Sequence, residues 1–267
     1  MGQSGYISVG SEQLHYLKWG HGERLLLAFH GYGDNADIFS PLPEYLDESY
    51  TMLSFNLPYH GGSAWAGNSL LTGKDIVEMV HVLMNEYHVE KVSLIGYSLG
   101  GRVCLAIIEY LPASIEKVVL IAPDGLKVDP YYYFFTGPWL GKKIFRNMLE
   151  QPKPYFRMMN WLKKMHLVHE SRYKFAMHFL QSEESRSFLL HVWPALSGVA
   201  PRPAQLKKLI KKYHLPVVIF MGAYDKIIPP SIALKFKKGL DTVQLYIVEK
   251  GHRILDHETV RQIAGSL

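Results

Sequence analysis

The chain has 267 residues, long enough for one large α/β domain or for such a domain carrying an insertion. Apolar residues make up 48% and charged residues 20%, the balance of a globular chain with a buried core, and the net charge is +5. No apolar run reaches the roughly 18 residues that span a bilayer, and the opening MGQSGYISVG has neither the basic nor the apolar region of a signal peptide, so the expected setting is cytoplasmic. Tyr6 stands where a myristoylation signal would need Ser or Thr. The one cysteine, Cys104, excludes an intramolecular disulfide, and the thirteen histidines show no H-E-x-x-H or similar spacing. Neither a metal nor another cofactor is expected.

In chain order, YISVG and LHYLKWG read first as a short antiparallel hairpin at a sheet edge. Six apolar runs rich in β-formers follow: RLLLAFH (24–30), YTMLSFNLP (50–58), KVSLIGY (91–97), EKVVLIAP (116–123), PVVIFMGAYD (216–225) and VQLYIVE (243–249). They are continuous rather than alternating, the pattern of strands buried on both faces of a parallel sheet. Helix-compatible stretches lie between most of them, at 36–47, 72–88, 99–111, 231–240 and 254–265. This alternation predicts an α/β fold, a mostly parallel eight-stranded sheet with helices on both faces.

The alternation breaks once. Residues 124–214 contain no convincing strand, and a stretch of that length does not run as a bare loop inside a compact domain. YYYFFTGPWLG (131–141) and the helically periodic YFRMMNWLKKMH (155–166) predict an inserted helical cap, with 1–123 and 215–267 forming the core. The insertion holds sixteen Lys and Arg against six Asp and Glu, so the basic balance of the chain belongs to it and the remainder is net acidic. Its Lys pairs read as a solvated face and its aromatics at 131–135 as internal packing. No motif points to nucleic acid, and no stable membrane insertion is expected. The positive charge would suit anionic or amphipathic substrates, or brief contact with an anionic membrane surface.

The chemistry centres on KVSLIGYSLGGRVCLA (91–106). GYSLG fits G-x-S-x-G, with a strand before it and a helix after it, the setting of a nucleophile elbow. Gly96 and Gly100 flank Ser98 where a strand and a helix must approach closely. A serine hydroxyl needs a base to take its proton and a carboxylate to orient that base. Asp225 ends the run PVVIFMGAYD and His252 follows VQLYIVE, each placed at the end of a later strand, in the chain order Ser, Asp, His.

With these segments in view, the sequence resembles the α/β-hydrolase superfamily, in its esterase/lipase-like branch with a helical cap. FHGYGDN, LIGYSLGG, MGAYDKIIPP and KGHRIL carry the resemblance, which spans the sheet domain and leaves the cap unmatched. It implies Ser98 as nucleophile, Asp225 as acid and His252 as base. It also implies an oxyanion hole made by the backbone N–H groups of Tyr32, in the H-G-x-G segment, and of Leu99. The sequence departs from the family pattern in NLPYHGGS (56–63), with Asn56 and Tyr59 where Asp and Gly are usual.

Rival assignments stay open at this level. Asp124, in IAPDG, is a second candidate for the acid, since some members draw it from the preceding strand end. His257 reads as a surface residue, His30 as a brace for the loop bearing Tyr32, and His60 as structural. The reaction expected is hydrolysis of a carboxylic ester carrying a small to medium apolar acyl group, through an acyl-enzyme. A thioesterase, a C–C bond hydrolase with the same three residues, or a ligand-binding member of the fold without catalysis are the alternatives. The partner expected is a small ester-type molecule, apolar or amphipathic.

Overall fold

A computed structural model of the chain describes residues 2–66, 69–167 and 182–267, with Tyr173, Met177 and Leu180 between the last two segments. Eight strands form one sheet in the order β1-β2-β4-β3-β5-β6-β7-β8. Strands β1 (Gln3–Val9) and β2 (Glu12–Trp19) are the antiparallel hairpin at one edge, and β2 also runs antiparallel to β4 (Tyr50–Phe55). From β4 onward every pairing is parallel, through β3 (Arg24–Phe29), β5 (Val92–Tyr97), β6 (Ile115–Ile121), β7 (Val217–Gly222) and β8 (Val243–Val248).

Burial on both faces explains the continuous apolar runs of β3 to β7, whereas the edge strand β8 buries only Val243. Leu26, Met52, Ile95, Val119 and Phe220 point to one side, where they pack with Phe39, Leu42, Ile254, Val260 and Ile263. The alternate residues, among them Leu25, Leu27, Leu53, Leu94 and Ile219, are equally enclosed on the other side. There helix α1 (Gly73–Glu86) and helix α2 (Leu99–Tyr110) take up the packing. Ten residues of α2 are buried, Leu99 through Ile108. α1 opens with a reciprocal capping box, in which the Thr72 hydroxyl accepts the Asp75 N–H and the Asp75 carboxylate accepts the Thr72 N–H.

Two expected helices are cut short for visible reasons. The stretch 36–47 forms two 3-10 turns, Ala36–Phe39 and Leu42–Tyr45, because Pro41 and Pro43 supply no N–H for a continuous ladder. The stretch 254–265 is helical only over its end. Asp256 accepts the N–H groups of Glu258 and Thr259, and the Thr259 hydroxyl bonds the Ile254 carbonyl, so side chains satisfy backbone that a helix would have used.

The chain divides into two compact units, 1–128 with 199–267, and 129–198. The second unit holds α3 (Pro130–Thr136), α4 (Trp139–Glu150), α5 (Pro152–Lys164) and α6 (Glu183–Ala195). Its aromatic centre is Phe145 stacked on Trp193 at 5.5 Å, with Tyr132 edge-on to the same indole and donating its hydroxyl to the Trp193 carbonyl. The expected insertion, 124–214, therefore extends past this unit on its C-terminal side. Helix α7 (Pro203–Tyr213) buries Leu206 and Ile210 beside α2, and the Arg202 N–H reaches Glu109 at 2.6 Å, within the first unit. Most of 168–181 lies outside the described residues. The remaining helices, α8 (Pro230–Lys237) and α9 (Val260–Ala264), belong to the first unit.

Candidate active site

β5 delivers Ser98 at its C-terminal end, and α2 begins at the next residue. The serine has φ +49 and ψ −110, a backbone conformation that residues with a side chain rarely hold and that the surroundings must enforce. They do so through three hydrogen bonds. The Ser98 N–H donates to the Ile121 carbonyl at 2.9 Å, and the Ser98 carbonyl accepts the Gly101 and Asp124 N–H groups, each at 2.9 Å. The turn is possible only because its neighbours lack side chains. A Cβ on Gly96 would lie 2.6 Å from the Gly100 carbonyl oxygen, and one on Gly100 would lie 1.8 Å from that of Phe29.

Asp225 lies just beyond the end of β7 and His252 just beyond the end of β8, as the sequence pattern requires. The structure brings the three side chains into one hydrogen-bonded row. His252 Nδ1 donates to Asp225 Oδ2 at 2.7 Å, which leaves Nε2 to accept the Ser98 hydroxyl at 2.9 Å. The other Asp225 oxygen accepts the N–H groups of Ile227 and Ile228 at 2.8 and 2.9 Å, and the residue is buried. Asp124 is engaged elsewhere: its carboxylate pairs with the guanidinium of buried Arg102. His257 is exposed.

Tyr32 and Leu99 sit on two segments that meet at the same edge. Leu99 opens α2, where first-turn N–H groups have no carbonyl one turn back to bond. The loop bearing Tyr32 leaves β3, whose last carbonyl is the one that Gly100 approaches so closely. Two histidines hold this loop. His30 Nδ1 donates to the Gly31 carbonyl at 2.7 Å while its Nε2 accepts the Leu57 N–H at 3.0 Å. His60 Nδ1 donates to the Pro58 carbonyl at 2.8 Å while its Nε2 accepts the Gly33 N–H at 3.2 Å. Each ring thus needs one bare nitrogen, and burial drives the same way, pushing His30 down to about 3 and His60 to about 4.

Three features escaped the sequence pattern. Asp34 accepts from Arg253 at 3.0 Å, tying the loop bearing Tyr32 to the residue after His252, and burial holds the Asp34 carboxyl above its ordinary range despite that guanidinium. Tyr97 donates its hydroxyl to the His252 carbonyl at 3.3 Å, its ring 5.6 Å from the imidazole, and burial pushes its phenol up to about 12. Asn56 accepts the Ala36 N–H and donates to His15 Nδ1, both at 2.7 Å, joining three segments below the loop. Asp34 and Arg253 lie inside the segments that carry the resemblance, but nothing in their spacing announces the pair.

This assembly of strand ends, tight turn and hydrogen-bonded row has a counterpart in a known family. The model of the alpha/beta hydrolase fold family matches residues 24–255. The chain belongs to the alpha/beta hydrolase fold family. Among curated members, it is 24% identical over 246 residues to the uncharacterized hydrolase YugF of Bacillus subtilis, covering 87% of this chain and 85% of that protein. A thermophilic esterase of Thermogutta terrifontis, solved with malate bound, superposes with a TM-score of 0.64 at 18% identity, covering 97% of this chain and 93% of that one. The 2-hydroxy-6-oxo-6-phenylhexa-2,4-dienoate hydrolase of Rhodococcus sp. strain RHA1 gives a TM-score of 0.62 at 21% identity, over 94% and 92% of the two chains. As an alpha/beta hydrolase fold member, the chain has the mostly parallel eight-stranded sheet expected of it.

Among the described residues, no group of three His, Cys, Asp or Glu side chains is placed to hold a metal ion. The row Ser98–His252–Asp225 contains every group that acyl transfer needs from side chains, namely a hydroxyl, a bare imidazole nitrogen and a buried carboxylate.

Proposed function

We propose that the chain is a serine hydrolase that cleaves a carboxylic ester of a small to medium apolar acyl group through an acyl-enzyme. The observation that carries this reading is the row from Asp225 through His252 to a serine held at φ +49 on a strand-to-helix turn. His252 Nε2 takes the Ser98 proton as Oγ attacks the ester carbonyl, and the carbonyl oxygen acquires the negative charge. The N–H groups of Tyr32 and Leu99 receive that oxyanion, each donor lowering the barrier by about 3–4 kcal/mol. Asp225 stabilises the imidazolium and fixes its tautomer. His252 then gives its proton to the departing alkoxide, and the carbonyl re-forms as the acyl-Ser98 ester. Water, deprotonated by the same imidazole, attacks this ester and releases the acid, returning the proton to Ser98.

Membership of the alpha/beta hydrolase fold family supports hydrolysis and leaves the bond type open, so the test has two arms. A fluorophosphonate probe should label the protein at Ser98, and Ser98→Ala should abolish both the label and turnover of p-nitrophenyl esters. Undiminished turnover in Ser98→Ala would remove Ser98 from the reaction. A parallel screen of esters, thioesters and dienoates of graded length identifies the bond. Faster turnover of thioesters or dienoates than of every ester would overturn the ester assignment while leaving the serine mechanism standing.

A further inference from the structure

Among the described helices of eight or more residues in the second unit, α5, QPKPYFRMMNWLKK with its preceding residue, is the one that buries none of its residues. At about 100° of rotation per residue, its side chains sort into adjoining arcs. Lys153, Arg157 and Lys164 share one arc of roughly 40°. Trp161, Pro154, Met165 and Met158 fill the next, about 60° wide. All seven are exposed, with Trp161 at 57%, Met165 at 54% and Met158 at 48%. The rest of the circumference is occupied: Tyr155, Phe156, Met159 and Leu162 are half-buried, the Tyr173 hydroxyl donates to Asn160, and the Lys163 ammonium lies 4.2 Å from the Tyr173 ring centre.

Beyond the helix end Leu167 is 65% exposed, and at the start of α4 Trp139 and Leu140 are 73% and 54% exposed. Lys142, Lys143 and Arg146 of α4 are exposed as well. Between Trp139 and His169 the sequence has seven Lys and Arg and a single acid, Glu150. A water-exposed stripe of Trp and Met beside a stripe of cations is costly unless something covers it. An isolated protein partner would need matching acids and a socket, whereas a lipid surface meets both stripes at once. Trp and Met enter the headgroup–acyl boundary, and Lys and Arg meet anionic headgroups. Among the described residues, no helix is long and apolar enough to cross a membrane, so such contact is lateral.

We infer that the outward face of α5, with the start of α4, is a seat for an anionic lipid surface. Vesicle binding is measured without turnover, so its failure is distinguishable from failure of the hydrolase reading, and short-ester turnover enters only as a control. The test is co-sedimentation of the full chain with vesicles of phosphatidylcholine alone and of phosphatidylcholine with one third phosphatidylglycerol. Partition onto the anionic vesicles should exceed that onto neutral ones at least tenfold and fall as salt rises from 50 to 500 mM. Lys153→Gln, Arg157→Gln and Lys164→Gln together should weaken it roughly a hundredfold. Met158→Ser, Trp161→Ser and Met165→Ser together should also weaken it, with circular dichroism and hydrolysis of a short soluble ester unchanged. Equal partition onto both vesicle types, no partition at 50 mM salt, or parental binding by either variant would overturn the inference. So would a dimer in solution that the Ser variant dissociates, which would assign the face to a second copy, or loss of short-ester turnover in a folded Ser variant, which would assign it to substrate.

Discussion

The carboxylate of Asp225 meets the imidazole of His252 with one oxygen and accepts the N–H groups of Ile227 and Ile228 with the other, so its position is fixed from both sides. An amide in its place would turn an NH₂ toward Nδ1 and move the ring proton to Nε2, where it would no longer accept the Ser98 hydroxyl. Asp225→Asn should therefore lower kcat about 10⁴-fold with little change in KM. Steady-state kinetics on a p-nitrophenyl ester decides it, and a loss of under tenfold would contradict the assigned role.

Asp124, the other carboxylate that follows a strand, answers to a different partner. Its pair with Arg102 offsets the burial of that guanidinium, whose side chain is only 8% exposed. Asp124→Asn should lower stability by about 2 kcal/mol, read from urea denaturation, and leave kcat within a few-fold of the parent. The opposite outcome, stable protein with turnover lost, would transfer the acid's role to Asp124.

His30 and His60 make stability depend on pH. In the unfolded chain each takes up a proton near 6.5, and in the fold only near 3 and 4 respectively. Between these values the unfolded state binds more protons, so stability is full above about 6.5 and falls as acid is added. Well inside that window the slope is about 1.4 kcal/mol per pH unit for each histidine. His60→Gln, which keeps an acceptor for the Gly33 N–H without a titrating ring, should show a flatter fall in Tm from pH 7.5 to 4.5. Identical slopes would mean that His60 is not a source of the acid sensitivity.

Asn56 replaces the usual aspartate because its amide both accepts from Ala36 and donates to His15, which an ionised carboxylate does not do. Asn56→Asp should cost about 1–2 kcal/mol at pH 8 by opposing the carboxylate to the Nδ1 lone pair. The loss should shrink as His15 takes up a proton in acid. Denaturation at pH 8 and again in acid tests this, and a variant as stable as the parent at pH 8 would show that the donation to His15 contributes nothing.

The strands are legible because each carries a run of apolar residues with few polar interruptions, and the turn at Ser98 because glycines mark where backbone passes backbone. Strand ends pointed to Asp225 and His252 but left Asp124 as a rival, and the resemblance supplied their roles. The helix expected at 36–47 gives way to two 3-10 turns because Pro41 and Pro43 cannot donate to a helical ladder. The shortened helix before Ala264 failed on side-chain bonds from Asp256 and Thr259 that no local pattern encodes. The insertion's far boundary was hidden because α7, with two Lys pairs, continues the basic composition while burying Leu206 and Ile210 beside α2. Tyr59 is the subtler case. It holds φ +64, so the backbone keeps a conformation suited to glycine although the residue has changed.

The sheet order also sets a timetable. Ser98, Asp225 and His252 follow β5, β7 and β8, and every pairing from β3 to β8 is parallel, so each joins segments separated by a long crossover. Closures of that kind are slow. The Ser98–His252 bond needs β5 and β8 both in place, so it should form late in refolding, after the helical circular dichroism has returned.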